Sequence, residues 1–189
     1  MLGRDAVAPP PAGRFVAVAL TSALVLADDW DVAPAYHVLG CALDAAGEAK
    51  CWSVVSREDV VPAAAVGSPV ELAEPPPGPF LQIALSSSAA CALRVSGELV
   101  CWPLVDGWTS VEAPAGRFAA VHGVQPDYPS HDPSSFCALR PDRTLHCWPE
   151  TVPTVDDPEA VPHGAFAGLG GHCALHVDGG VRCWGRFTR

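Results

Sequence analysis

The residues with the most chemistry open to them in this 189-residue chain are its eight cysteines, which fall in four short segments. These read CALDAAGEAKCW at 41–52, CALRVSGELVCW at 91–102, CALRPDRTLHCW at 137–148 and CALHVDGGVRCW at 173–184. Each holds two thiols ten positions apart with a tryptophan behind the second. Paired thiols can bind zinc, lie reduced as small buried hydrophobes, or join as disulfides. Structural zinc sites commonly take their ligands from CxxC-type pairs, and the chain has none. Buried reduced cysteines remain open as an alternative.

Local geometry favours disulfides. Gly47, Gly97 and Gly179 each lie six residues after the first cysteine. A three-residue hairpin loop is commonly a type I turn closed by a left-handed residue, where glycine carries no steric penalty. With the glycine in that place, Asp44 faces Glu48, Ala42 faces Lys50 and Cys41 faces Cys51. The cysteines then form a non-hydrogen-bonded pair with Cα atoms about 4.5 Å apart, within disulfide reach. The same count pairs Cys91 with Cys101, Cys137 with Cys147 and Cys173 with Cys183. The third copy has Arg143 in place of the glycine, so that hairpin must strain a side chain into the left-handed region or turn differently.

A second set of candidate groups crowds into two segments, SALVLADDWDVAPAYHV at 22–38 and GVQPDYPSHDPSS at 123–135. They supply Asp28, Trp30, Asp31, Tyr36 and His37 from the first, and Tyr128, His131 and Asp132 from the second. Exposed aromatics among polar residues suit recognition of a protein or peptide. Asp and His together offer hard or borderline metal ligands, but their spacing matches no EF-hand, and we expect no metal and no cofactor. Catalytic signatures are missing too: there is no G-x-S-x-G elbow, no H-E-x-x-H and no P-loop. The expectation is a domain that is not an enzyme.

The elements that carry these residues repeat. Before each cysteine segment stands Pro-x-Gly-x-Phe: PAGRF at 11–15, PPGPF at 76–80, PAGRF at 114–118 and PHGAF at 162–166. A short β-prone run precedes each of these and another begins at its Phe. Every unit therefore offers about four short antiparallel strands, in units spanning approximately 5–52, 69–102, 109–148 and 153–187 of a single domain, 1–189. Both aromatic segments occupy one connection, between the Phe strand and the Cys-Ala-Leu strand, so they project from one rim. Trp52, Trp102, Trp148 and Trp184 recur at a single position and read as core. The stretch FVAVALTSALVLA at 15–27 mimics a signal-peptide hydrophobic region. Its match to FLQIALSS at 80–87 identifies it as a repeat strand instead.

Composition agrees. The chain is 49% hydrophobic and 17% charged, with 20 prolines and 17 glycines, which suits a folded protein with many reversals. A net charge of −10 repels a phosphate backbone, so no nucleic acid is expected as a partner, and no membrane insertion.

The pattern P-x-G-x-F…C-A-L-x-x-x-G-x-x-x-C-W resembles the RCC1 (regulator of chromosome condensation) repeat in its bacterial, cysteine-bearing form. The resemblance implies an all-β fold: a β-propeller of four blades or, since the family commonly has about seven, part of a larger ring completed by self-association. The two aromatic insertions point to a non-catalytic module that binds a protein or peptide through loops on one rim. An inhibitor of a secreted hydrolase is the alternative, and a metal-dependent lectin-like or enzymatic domain a more distant one. Disulfides imply an extracytoplasmic location, whether secreted, periplasmic or at the cell surface.

Overall fold

A computed structural model describes residues 11–25, 35–56, 71–109, 111–124, 135–148 and 162–184. Among the described residues twelve strands form four three-stranded antiparallel sheets, each built from three consecutive strands. The first holds β1 (Phe15–Val25), β2 (Ala35–Asp44) and β3 (Ala49–Ser56), and the second β4 (Phe80–Leu85), β5 (Ala89–Arg94) and β6 (Leu99–Pro103). β7 (Ala120–Val124), β8 (Ser135–Leu139) and β9 (Leu145–Trp148) make the third. The fourth is β10 (Phe166–Gly170), β11 (Cys173–His176) and β12 (Val181–Cys183). The sheets follow one another as the blades of an all-β propeller.

The hairpin register is the one the glycines specify. Cys41 pairs with Cys51 and Ala42 with Lys50, while the Asp44 amide donates to the Glu48 carbonyl at 3.0 Å. All four disulfides form between residues ten apart, with Cα atoms 4.0–4.1 Å from one another. Gly47, Gly97 and Gly179 have φ of 81°, 87° and 88°, and Arg143 takes the same conformation at φ 70°. The third hairpin thus keeps the turn and accepts the strain. Arg143→Gly is expected to stabilise the protein by about 0.5–1 kcal/mol, the left-handed penalty less the entropy glycine adds to the unfolded chain. Chemical denaturation checks it, and a destabilised variant would contradict it.

Residues 15–25 form β1, as the repeat argument requires of the signal-like stretch. Two expectations need correction. The aromatic segment at 22–38 is not all loop: Ser22–Val25 and Ala35–Val38 prolong the β1–β2 hairpin by four pairs. Likewise Gly123 and Val124 end β7, and Ser135 begins β8. The expected fourth strand appears only as the bridge Leu72↔Val105, flanked by bonds from Ala73 N to Leu104 O and from Asp106 N to Glu71 O. Of the other β-prone runs before the Pro-x-Gly-x-Phe motifs, Thr109 and Val111 of TSV at 109–111 are not strand, and DAV at 5–7 and PTV at 153–155 lie outside the described residues. Such runs end a few residues before a proline-rich turn, which leaves room for one or two ladder bonds.

Each blade has two different faces. One carries the disulfide and the Leu two residues beyond its first Cys. The other carries the Phe of Pro-x-Gly-x-Phe and the Trp of Cys-Trp. The cysteine face of one blade packs on the aromatic face of the next. Leu39, Cys41 and Leu43 meet Phe80, Ile83, Leu85 and Trp102. Cys91, Leu93 and Leu99 meet Phe118, Val121, Phe136 and Trp148, and Cys137 and Leu139 meet Phe166, Ala174 and Trp184. Apolar burial between sheets drives this stacking.

A backbone bond accompanies each packing. The Phe80 amide donates to Gly47 O at 2.9 Å, Phe118 to Gly97 O at 2.7 Å and Phe166 to Arg143 O at 2.8 Å. In blades two, three and four the residue three beyond the first cysteine covers the Phe of its own blade. Arg94 lies 5.1 Å from the centroid of Phe80, and Arg140 lies 5.4 Å from that of Phe118. His176 meets Phe166 edge-on at 5.5 Å. Cations and ring edges both suit an aromatic face.

Candidate interaction surface

The two aromatic segments leave their blades at equivalent places, between the first and second strands of blades one and three. Tyr36 and His37 belong to β2, where they pair with Leu24 and Ala23 of β1 and with Ser56 and Val55 of β3. Asp28, Trp30, Asp31, Tyr128, His131 and Asp132 lie outside the described residues. What the structure shows is how their segments are held at the base.

The third-blade segment has the more elaborate footing. Ser86, at the β4–β5 turn of the second blade, is completely buried. Its Oγ donates to the Val124 carbonyl at 2.8 Å and accepts from the Ser135 amide at 3.1 Å. Val124 and Ser135 are the last strand residue before the segment and the first after it. One hydroxyl from the neighbouring blade therefore holds both feet of the segment. Beside it the two backbones nearly touch, because a Cβ on Gly123 would overlap the Leu85 carbonyl. Farther along β4, the Gln82 side-chain amide donates to Val121 O at 2.9 Å and accepts from Val121 N at 3.1 Å.

Sequence reasoning passed over Ser86 as part of a polar turn. The available signal was position: Ser86 and the buried Thr21 stand at the same place in their units, six residues after the Phe. In the second blade that hydroxyl stands just beyond the end of the Phe strand, at the rim. Removing it in Ser86→Ala takes away its bonds to two buried backbone groups and is expected to cost about 1–3 kcal/mol. Hydrogen exchange at the Ser135 amide reads it directly; unchanged protection there would show that the hydroxyl does not anchor the segment.

His146 stacks on Trp148 at 6.1 Å, and burial lowers the pKa of His122 on β7 and favours its neutral form. Among the described residues no three His, Cys, Asp or Glu side chains gather as a metal site. No helix there is long and apolar enough to cross a membrane.

No family model matches the chain, and no curated protein does. Two solved structures are similar to it. One is the CRINKLY WD40 ectodomain of the Arabidopsis thaliana receptor kinase ACR4, at 19% identity and a TM-score of 0.49, over 78% of this chain and 46% of that one. The other is the ectodomain of the Physcomitrella patens receptor kinase CR4, at 19% identity and a TM-score of 0.48, over 91% of this chain and 41% of that one. The chain thus spans less than half the length of either ectodomain.

Proposed function

We propose that this chain is a non-catalytic interaction domain of RCC1-like repeats that binds a protein or peptide partner at the rim where residues 22–38 and 123–135 leave blades one and three. The observation that carries the reading is the footing of the third-blade segment. A buried side chain of the neighbouring blade is used to fix both ends of the stretch QPDYPSHDPS at 125–134. Fixing the feet of a binding segment lowers the entropy lost when it engages a partner. The aromatics Trp30, Tyr36 and Tyr128 are the anchors of this reading, with His37, His131 and the acids Asp28, Asp31 and Asp132 around them. Its acidic surroundings favour a basic partner surface.

The disulfide in every blade supports placing this function in an oxidising, extracytoplasmic compartment. Partner capture with the wild type and with the triple variant Trp30→Ala, Tyr36→Ala, Tyr128→Ala tests the proposal. Each lost anchor is expected to weaken binding about tenfold. Retention of the same partners by a folded triple variant would place the site elsewhere.

A further inference from the structure

The exposed apolar side chains of this protein sort into two kinds. Val16 is 70% exposed, but its equivalent in the second blade, Leu81, is also open at 60%. Val95 and Val177 are a similar pair, at 65% and 45%. These are positions the repeat leaves in solvent. The remaining four are different. Val18 and Leu20 of the first blade are 64% and 60% exposed, while their second-blade equivalents Ile83 and Leu85 are buried against blade one. Leu175 and Val181 of the fourth blade are 44% and 61% exposed, while Leu43, Leu93, Leu139 and Leu99 at those positions are buried.

The four divide between the two ends of the array. Val18 and Leu20 lie on the aromatic face of blade one, beside Trp52, which packs over Gly40 next to Leu20. Trp52 is only half-buried, whereas Trp102, Trp148 and Trp184 are covered by a preceding blade. Leu175 and Val181 lie on the cysteine face of blade four, around Cys173 and Cys183. Among the described elements, the first and fourth sheets make no extensive contact with each other. One end thus presents an uncovered aromatic face and the other an uncovered cysteine face, the two halves of the junction used three times inside the chain.

The backbone positions of the junction have their equivalents at the two ends as well. Gly179 holds the position of Gly47, Gly97 and Arg143, whose carbonyls receive the Phe amide of the next blade. A Cβ on Gly47 would meet the Phe80 backbone at 2.8 Å, but a Cβ on Gly179 would meet nothing within 4 Å. The Phe15 amide stands where the matching donor belongs.

We infer that a second copy of this chain covers these faces head to tail, the cysteine face of blade four in one copy docking on the aromatic face of blade one in the next. The occupant is a second copy because its blade-four cysteine face presents the partner side chains of blade one in the order of the internal junctions. Such contacts are heterologous and produce a closed ring or an extending chain according to the rotation per copy.

Sedimentation velocity of the full chain over a dilution series tests the inference, together with Leu20→Glu on one face and Val181→Glu on the other. Both side chains are largely in solvent within one chain, so each variant keeps its circular dichroism and its four disulfides. The wild type is expected to self-associate. Either glutamate, carried into an apolar junction, is expected to weaken association at least about a hundredfold. An equal mixture of the two variants regains a dimer, because the intact cysteine face of one meets the intact aromatic face of the other. A wild type that stays monomeric would overturn the inference, and so would association undiminished in both variants. Self-association of Val181→Glu alone would mean like faces meet, and a mixture that stays monomeric would equally rule out the head-to-tail junction.

Discussion

Replacing Gly123 by alanine is expected to destabilise the protein by about 3 kcal/mol, with a fall in Tm of about 6–12 °C. The added methyl would overlap the Leu85 carbonyl oxygen and carbon and crowd the Ser86 amide nitrogen at 3.2 Å. All of these are backbone atoms, which cannot swing aside as a long side chain can. Relief requires blades two and three to part, and that also breaks both bonds of Ser86 and both of Gln82 to Val121. Gly168, also in a first strand, is the control: a Cβ there meets nothing within 4 Å, so Gly168→Ala should stay within about 0.5 kcal/mol. Thermal unfolding of both variants decides it. Equal stability would mean that the blades do not approach as closely as the structure has them.

The other large effect concerns the bridges. Each closes a loop of about ten residues and is worth about 2–3 kcal/mol on the chain-entropy account. Their surroundings differ. Cys41, Cys91 and Cys137 are fully buried, each at a junction between blades, while Cys183 is exposed and Cys173 half-buried. The double replacement Cys91→Ala, Cys101→Ala removes the bridge and also loosens the packing of Leu93 and Leu99 on Phe118 and Phe136. A cost of about 4 kcal/mol is expected. Cys173→Ala with Cys183→Ala removes the bridge alone and should cost about 2–3 kcal/mol. Denaturant titration at dilutions where the chain is monomeric compares them. A fourth-blade pair that proves the costlier would contradict this account of the junctions.

The hairpins were legible in the sequence because everything that determines them is local. A glycine six residues after a cysteine fixes the turn, the turn fixes the register, and the register brings the sulfurs together. The strand at 15–25 was legible for another reason, since its copy at 80–85 occurs where no leader could. The Ser86 clamp was not legible. Its partners Val124 and Ser135 are 38 and 49 positions away, and only blade packing makes them neighbours. Gly123 was hidden in the same way, because the backbone it must admit belongs to the preceding unit. The prolonged β1–β2 hairpin was missed because its pairs lie beyond the part of the unit that repeats. The two uncovered end faces could not be read from pattern at all. Val18 and Leu20 look like ordinary strand residues until their equivalents are seen to be covered.

The cysteine spacing is ten in every unit, whereas the distance from one unit to the next is 50, then 46, then 36 residues. The carbonyl of the left-handed turn residue supplies a reason. The amide of that residue closes its own hairpin by donating to the carbonyl three residues back, while its carbonyl is the socket for the following Phe amide, so a residue gained or lost there would misplace two blades at once. At the opposite pole, where β7 gives way to β8, chain can be added without disturbing any neighbour's footing. The protein therefore has one pole of fixed length and one open to revision. A foreign peptide spliced between Val124 and Ser135 should be displayed on an intact scaffold, while the same peptide placed between Asp44 and Gly47 should unseat Phe80.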